Sequence, residues 1–126
     1  MKDERLVQDV FSNEQMVIVE KYEDFLNYIY PIALNLPRLH TVVRDLLLTA
    51  AFEQVRLFAE AGKSGQASKL YAADAGLALL RFHLRFLAKS PRKLISLTQH
   101  KVASIHLAET GRLLGAWIKT VKGKNG

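Results

Sequence analysis

The sequence of 126 residues contains no cysteine and only three prolines. The absence of cysteine excludes disulfides, thiolate metal sites and thiol nucleophiles, and it is compatible with the reducing cytoplasm, where we place the chain. Charged residues interrupt every apolar run before it reaches the ~18 residues that a membrane span needs, so no membrane partner is expected. Residues 1–10 carry acids and lack an apolar signal region, which predicts that the chain is not exported.

Acidic residues are scarce in the second half of the chain. Up to Gly62 there are six Lys and Arg against ten acids, whereas from Lys63 onward there are twelve against two. The net charge is therefore −4 in the first part and +10 in the second, which together give +6. If the two halves occupy different faces, polyanions are the expected partners. The alternative is a solvated basic surface that only aids solubility.

The sequence also lacks recognisable catalytic or metal-binding motifs. None of the four histidines has a carboxylate or a second histidine at metal-ligand spacing; they are His40, His83, His100 and His106. Residues 62–65 (GKSG) look like the end of a phosphate-binding loop, but the first glycine of that motif is replaced by Leu57. We therefore predict no catalytic residue, no metal and no cofactor, and an enzyme is the weaker class.

What the sequence does contain is a strongly periodic segment that predicts a helix over residues 66–89. Spacings of three and four define one apolar seam, made of Leu70, Ala73, Leu77, Leu80, Leu84 and Leu87. Leu79, Phe82 and Phe86 fall outside the seam, so a second apolar side is expected to pack against copies of the chain. A cationic ridge made of Arg81, Arg85 and Lys89 lies between the two apolar sides, because these residues are four apart.

Three further helices are predicted, over residues 13–36, 37–61 and 98–122. Ser12 and Thr98 are the expected N-caps of the first and last, Pro37 suits the first turn of the second, and Gly62 is expected to end it. Pro31 lies inside the first helix. The apolar positions expected in the core of these helices are Ile18, Tyr22, Phe25, Ile29, Ile32 and Leu36; Leu39, Val43, Leu46, Leu47, Ala50, Leu57 and Phe58; and Val102, Ile105, Leu107, Leu113, Leu114, Trp117, Ile118 and Val121.

Long helices with short links predict a single all-α domain over residues 1–126, folded as an antiparallel up-down four-helix bundle. Residues 1–11 have no clean period and are expected to form a loosely held arm. In the last helix, Gly111 and Gly115 are four apart, and we favour a close helix approach over tolerated glycines as their reason.

Several segments resemble the accessory variability determinant (Avd) proteins of diversity-generating retroelements. They are residues 68–87 (SKLYAADAGLALLRFHLRFL), 30–32 (YPI), 37–38 (PR), 61–64 (AGKS) and 111–117 (GRLLGAW). The resemblance covers roughly residues 14–122. It implies a basic, barrel-like homopentamer of four-helix bundles that binds the reverse transcriptase and RNA or DNA and supports mutagenic retrohoming without catalysing a reaction.

Proteins encoded in ribosomal RNA intervening sequences share this bundle and are the alternative, with a structural or RNA-associated role. They typically carry a stretch like SIPANIAEG in the second helix, where this chain has EQVRLFAEAG at residues 53–62. This departure favours the Avd proteins.

Two sets of site residues follow from the charge pattern, the periodicity and the resemblance. The residues predicted to bind nucleic acid or the polymerase are Arg81, Arg85, Lys89, Lys69, Arg112, Lys119, Arg92 and Lys93. The residues predicted to lie near subunit contacts are Leu79, Phe82, Phe86, Gly111 and Gly115. The alternative for the arginines is pairing with Asp74 or with an acid of the first helix.

Overall fold

The structure, a computed structural model, describes residues 13–125, which form four α-helices and no strand. The helices are α1 (Asn13–Leu34), α2 (Thr41–Ser64), α3 (Ala67–Ala88) and α4 (Leu97–Asn125), and a single 3₁₀ turn (Arg38–His40) precedes α2. The predicted all-α class is confirmed for this range. The expected arm over residues 1–11 and the Ser12 cap lie outside the described residues.

The helices pack in cyclic order around one core. α1 contacts α2, α2 contacts α3, α3 contacts α4, and α4 closes the arrangement by contacting α1. Because consecutive helices are joined by short links and lie side by side, they run antiparallel. The order places α1 and α2 on one side of the bundle and α3 and α4 on the opposite side.

The predicted seam of α3 is confirmed, since all six of its residues are fully buried. In α2 and α4 the prediction was partly wrong, because Leu46 and Ile105 are 56% and 48% exposed. Leu39, predicted for the second helix, lies in the 3₁₀ turn and is 88% exposed. The buried stripes of these helices include small and polar residues, which a search for large apolar residues at helical spacing does not select. They are Leu47, Ala51, Gln54, Phe58 and Ala61 in α2, and Ala103, Leu107, Thr110 and Leu114 in α4.

The ends of α2 differ from the prediction. Pro37 does not occupy its first turn but precedes the 3₁₀ turn, after which α2 begins at Thr41. Gly62 lies inside the helix, which continues to Ser64 and ends at Gly65, whose φ of 65° is left-handed. The Gly65 N–H donates to the carbonyl of Ala61 at 3.0 Å, which satisfies one of the last helix acceptors.

Thr98 is not the cap of α4. The helix begins at Leu97, and Ser96 precedes it as the N-cap. The Gln99 N–H donates to Ser96 Oγ at 3.0 Å, while the Ser96 N–H donates to Gln99 Oε1 at 2.9 Å. This reciprocal pair is a capping box, so it satisfies two backbone donors that Thr98 would leave open.

Two buried polar side chains connect neighbouring helices. The hydroxyl of Tyr22 in α1 donates a hydrogen bond to the carbonyl of Ala51 in α2. Gln54 Nε2 in α2 donates to the carbonyl of Ala73 in α3 at 2.7 Å. Both side chains are almost completely buried, so these bonds fix the relative height of α1, α2 and α3.

Candidate nucleic-acid and subunit interfaces

The tertiary structure separates the charges of the chain onto opposite sides of the bundle. The side formed by α1 and α2, residues 13–64, carries five Lys and Arg against seven acids. The side formed by α3 and α4, residues 67–125, carries eleven against two. The resulting net charges are −2 and +9, so the electric field is strongest over α3 and α4.

The outer surface between α3 and α4 collects most of the exposed cations. Two contacts fix the register of the antiparallel helices: Arg81 lies over Gly111, and Lys122 Nζ lies 5.9 Å from the ring centroid of Tyr71. With this register, helical periodicity places seven exposed cations on one surface. Among the described residues, the acid on this surface is Asp74. We call it the basic face; its cations are Arg81, Arg85, Lys89, Lys101, Arg112, Lys119 and Lys122.

This surface unites some of the predicted binding residues and leaves others apart. Lys69, in the first turn of α3, points away from the basic face by its helical phase. Arg92 follows α3, where its Nε donates to the carbonyl of Phe86 at 2.8 Å, and Lys93 lies in the exposed link to α4. Lys101 and Lys122 were missed by the sequence analysis, although their spacing from Lys119 and Arg112 could have placed them on the same stripe of α4.

Carboxylates do not neutralise the basic face within the described residues. Ion pairs of the described residues join Lys21 to Glu109 at 3.7 Å, Arg44 to Asp45 at 3.1 Å, and Arg56 to both Glu53 and Glu60, so none uses a cation of the basic face. Glu109 is thus engaged by α1, and Asp74 pairs with no arginine in this part of the chain. The cations of the basic face are therefore available to an external anion.

Gly111 allows Arg81 to cross the surface of α4. A Cβ on residue 111 would stand 2.9 Å from Arg81 Nη2 and 4.0 Å from a methyl group of Leu77, so a side chain there would displace the guanidinium. Gly115 has no such neighbour within 4 Å and faces open space. The close neighbour of Gly111 is therefore the end of the Arg81 side chain and not the backbone of another helix, whereas the surface at Gly115 is free.

An apolar surface lies between α2 and α3, on the other flank of α3 from Arg81. Leu79, Phe82 and Leu46 are each about half exposed, at 50%, 48% and 56%. The rings of Phe82 and Phe86 lie 6.1 Å apart, and Phe82 contacts the His83 ring edge-on at 6.0 Å. Partial burial lowers the pKa of His83, which disfavours a positive charge on this imidazole. We call these residues, Val42, Leu46, Leu79, Phe82 and Phe86, the apolar patch.

A groove of about 570 Å³ lies between α1 and α2. At one end the rings of Tyr30 and Phe52 meet edge-to-face at 6.1 Å, although both side chains are about half exposed. Glu23 and Asn27 supply polar atoms at the rim. We call this the α1/α2 groove; its remaining walls are Val19, Tyr22, Leu26, Pro31 and Val55.

The described residues contain no group of three or more metal-binding side chains, and no helix among them is long and apolar enough to cross a membrane. His106 packs against the ring of Tyr28 at 5.8 Å, and the role of His83 is the packing described above. The described residues therefore form a four-helix bundle with a basic face over α3 and α4 and with apolar surfaces that include the patch and the α1/α2 groove.

Comparison with known families shows which family of helical proteins the chain belongs to. The model of the bAvd-like family matches residues 16–121, which is most of the chain, so the protein belongs to the bAvd-like family. The match confirms the resemblance to Avd proteins drawn from residues 68–87. Among curated proteins none matches the chain.

Proposed function

We propose that this chain is a non-catalytic accessory protein of a diversity-generating retroelement. It binds the reverse transcriptase of that element together with template RNA or cDNA, and it supports mutagenic retrohoming. The observation that carries this proposal is the basic face, which gathers seven cations on the outer side of α3 and α4, opposite the acidic side of the bundle. Membership of the bAvd-like family supplies the biological context.

The chemistry of the basic face suits a phosphate backbone. Arginine offers a planar fork of donors that matches phosphate oxygens, and lysine adds mobile point charges around it. Such contacts release counterions, so they give affinity that depends strongly on salt and carry little sequence information. The protein would hold nucleic acid near the polymerase, and base pairing would supply the specificity.

The proposal includes a homo-oligomer, with five copies as expected from the family. The apolar patch supports it, because large apolar side chains that remain half exposed in one chain are typical of a protein interface. Leu79, Phe82 and Phe86, the residues predicted at this interface, all lie in the patch. Of the two predicted glycines, Gly115 has open space around it, whereas Gly111 is covered by Arg81 of the same chain.

Nucleic-acid binding is tested by titrating labelled single-stranded RNA and DNA with the full chain at ~50 mM and ~200 mM salt, where phosphate contacts differ most in strength. We expect saturable binding at the lower concentration and a loss of affinity of several orders of magnitude at the higher one. Absence of binding at ~50 mM salt would contradict the nucleic-acid part of the proposal.

Polymerase binding needs a separate measurement. Co-expression with the reverse transcriptase encoded beside this gene, followed by affinity capture in nuclease-treated lysate, separates a direct contact from one bridged by RNA. We expect capture that survives the nuclease. A gene neighbourhood without a reverse transcriptase would contradict the retroelement role and favour a structural bundle.

A further inference from the structure

We infer that the apolar patch of one copy packs into the α1/α2 groove of the next, which closes the copies into a head-to-tail ring. This inference rests on the proposed homo-oligomer and specifies which surfaces form it. The patch projects from α3, whereas the groove is concave, so the two have complementary shapes. Both are apolar at their centres, and neither is covered within the described part of one chain.

The dimensions of the groove suit side chains of the patch. Its volume of about 570 Å³ lies within the ~300–1,000 Å³ range of cavities that bind apolar ligands. Tyr30 and Phe52 form an aromatic corner at one end of it, and edge-to-face contacts with a further phenylalanine ring are favourable there. Phe82 and Leu79 are the large side chains of α3 that project farthest from their own core, at 48% and 50% exposure.

The charges around the two surfaces are also complementary. Glu23 lies on the rim of the groove, and Glu20 is on the neighbouring turn of α1; neither forms an ion pair within the described residues. On the patch, the Arg92 guanidinium stacks on the Phe86 ring at 3.7 Å, and that of Arg85 lies 5.8 Å from the Phe82 ring. Packing the patch of one copy into the groove of the next therefore brings guanidinium groups towards carboxylates.

A two-fold dimer is the competing arrangement, and it fits less well. A two-fold axis that passes through the patch would pack patch against patch, because an isologous interface uses the same surface on both copies. Each Arg85 and Arg92 would then face its own symmetry equivalents, and like charges would repel across the interface. The α1/α2 groove would also stay uncovered, with Tyr30 and Phe52 exposed to water.

The placement of the two surfaces limits the number of copies. They share α2, so in a four-helix arrangement they face directions about 90° apart. In a closed ring the directions to the two neighbours differ by about 60° for three copies, about 90° for four and about 108° for five. The geometry thus fits rings of four or five, in agreement with the expected pentamer. The basic face lies opposite the groove, so the ring leaves it free on every copy except at Arg85, which borders the apolar patch.

Engineered cysteines test this pairing, because the chain has none of its own. N27C places a thiol at the rim of the groove, and A75C places one on the exposed side of α3, one turn from Leu79. A short bismaleimide is added to each single variant, to co-expressed N27C and A75C copies carrying different tags, and to the double variant. K101C, on the basic face, serves as the control.

We expect cross-linked dimers only between N27C and A75C copies, and none in either single variant or in K101C. The double variant should give a ladder on a denaturing gel that ends at the number of copies in the ring. Cross-linking within the A75C sample alone would show the two-fold arrangement and overturn the inference. An intact oligomer without cross-links between N27C and A75C would also overturn it.

Light scattering of the same samples separates this inference from the proposed function. A mass of 14.2 kDa for the unmodified chain would show a monomer and contradict the proposed oligomer together with the ring. As a second variant, Phe82→Glu should reduce the assembly to that mass while its circular dichroism stays helical. A helical Phe82→Glu variant that still assembles fully would contradict the role of the patch.

Discussion

The side-chain oxygen of Gln54 occupies the position where a Cβ on residue 76 would stand. Gly76 therefore allows α2 to approach α3 closely enough for Gln54 Nε2 to reach the carbonyl of Ala73. Gln54 Oε1 is buried, lies against Gly76 and has no hydrogen-bond partner among the described residues. This pair forms one of the close contacts between α2 and α3.

Gly76→Ala should destabilise the protein by about 1–3 kcal/mol, because the new methyl group overlaps Gln54 and also crowds Leu57. Helix propensity alone would favour alanine by up to ~1 kcal/mol, so a loss of stability isolates the steric effect. Urea unfolding at fixed protein concentration measures it. Gly115→Ala is the matched control and should be neutral or stabilising, since nothing lies within 4 Å of the added atom. Equal effects of the two substitutions would contradict the close approach at Gly76.

Tyr22→Phe should cost about 0.5–1.5 kcal/mol at pH 7, because it removes the buried hydrogen bond to Ala51. Burial raises the pKa of Tyr22 well above its usual value, so the folded state keeps the phenol protonated. The unfolded chain loses this proton above about pH 10. Above that pH, Tyr22 lowers the free energy of unfolding by up to ~1.4 kcal/mol per pH unit. The stabilising contribution is thus complete below pH 10 and declines as the pH rises further.

The measurement is the unfolding free energy of wild type and Tyr22→Phe between pH 7 and pH 11. The advantage of the wild type should shrink or reverse at the alkaline end. Tyr71→Phe removes the hydroxyl of an exposed tyrosine and is the control measured over the same range. If Tyr22→Phe also kept the full alkaline slope, the buried phenol would not be its origin.

Ser96→Ala should destabilise the protein by about 0.5–2 kcal/mol, since it removes the acceptor for the Gln99 N–H at the start of α4. Thr98→Ala, two residues away on the same exposed turn, should change stability by only a few tenths of a kcal/mol, because alanine is the better helix former. Thermal unfolding of both variants measures the difference. A larger loss for Thr98→Ala would restore Thr98 as the cap.

Replacing Arg81 and Arg85 together by alanine should weaken the binding of RNA and of the polymerase and abolish retrohoming, while the helical fold and the oligomer persist. Both side chains are exposed and lie outside the buried seam of α3. If each contacts one phosphate of a single strand, the slope of log affinity against log salt should fall by roughly 1.4. Titrations at several salt concentrations, together with light scattering, measure both properties.

The matched control for this double variant removes two cations from the α1/α2 side of the bundle, residues 13–64. Arg38→Ala with Lys63→Ala makes the same change in net charge at exposed positions, and its salt slope should stay close to that of the wild type. Unchanged RNA and polymerase binding by the Arg81 and Arg85 variant would refute their functional role. Loss of its oligomer would show that the ridge is structural.

The sequence alone determined the helices and the family. The seam from Leu70 to Leu87 could be predicted because all of its positions are apolar and recur at helical spacing. The same positions are buried in the structure, so local periodicity and burial agree. The resemblance to the family is visible in continuous strings such as residues 68–87, and the family match covers residues 16–121. The Ser96 to Gln99 capping box was also within reach of the sequence, since its S-x-x-Q pattern is local, although Thr98 was preferred.

Only the tertiary structure decided how these helices present their surfaces. Gln54 is polar and Gly76 is a poor helix former, yet both lie where α2 packs against α3. The contact between them explains both residues, and no local pattern encodes it because they are 22 positions apart. Tyr30 and Phe52 likewise meet only because α1 packs on α2. The imbalance of charge was present in the sequence, but its separation onto opposite sides follows from the cyclic packing order of the helices. Local periodicity fixes which side of a helix is buried, whereas neighbouring helices determine what covers the rest.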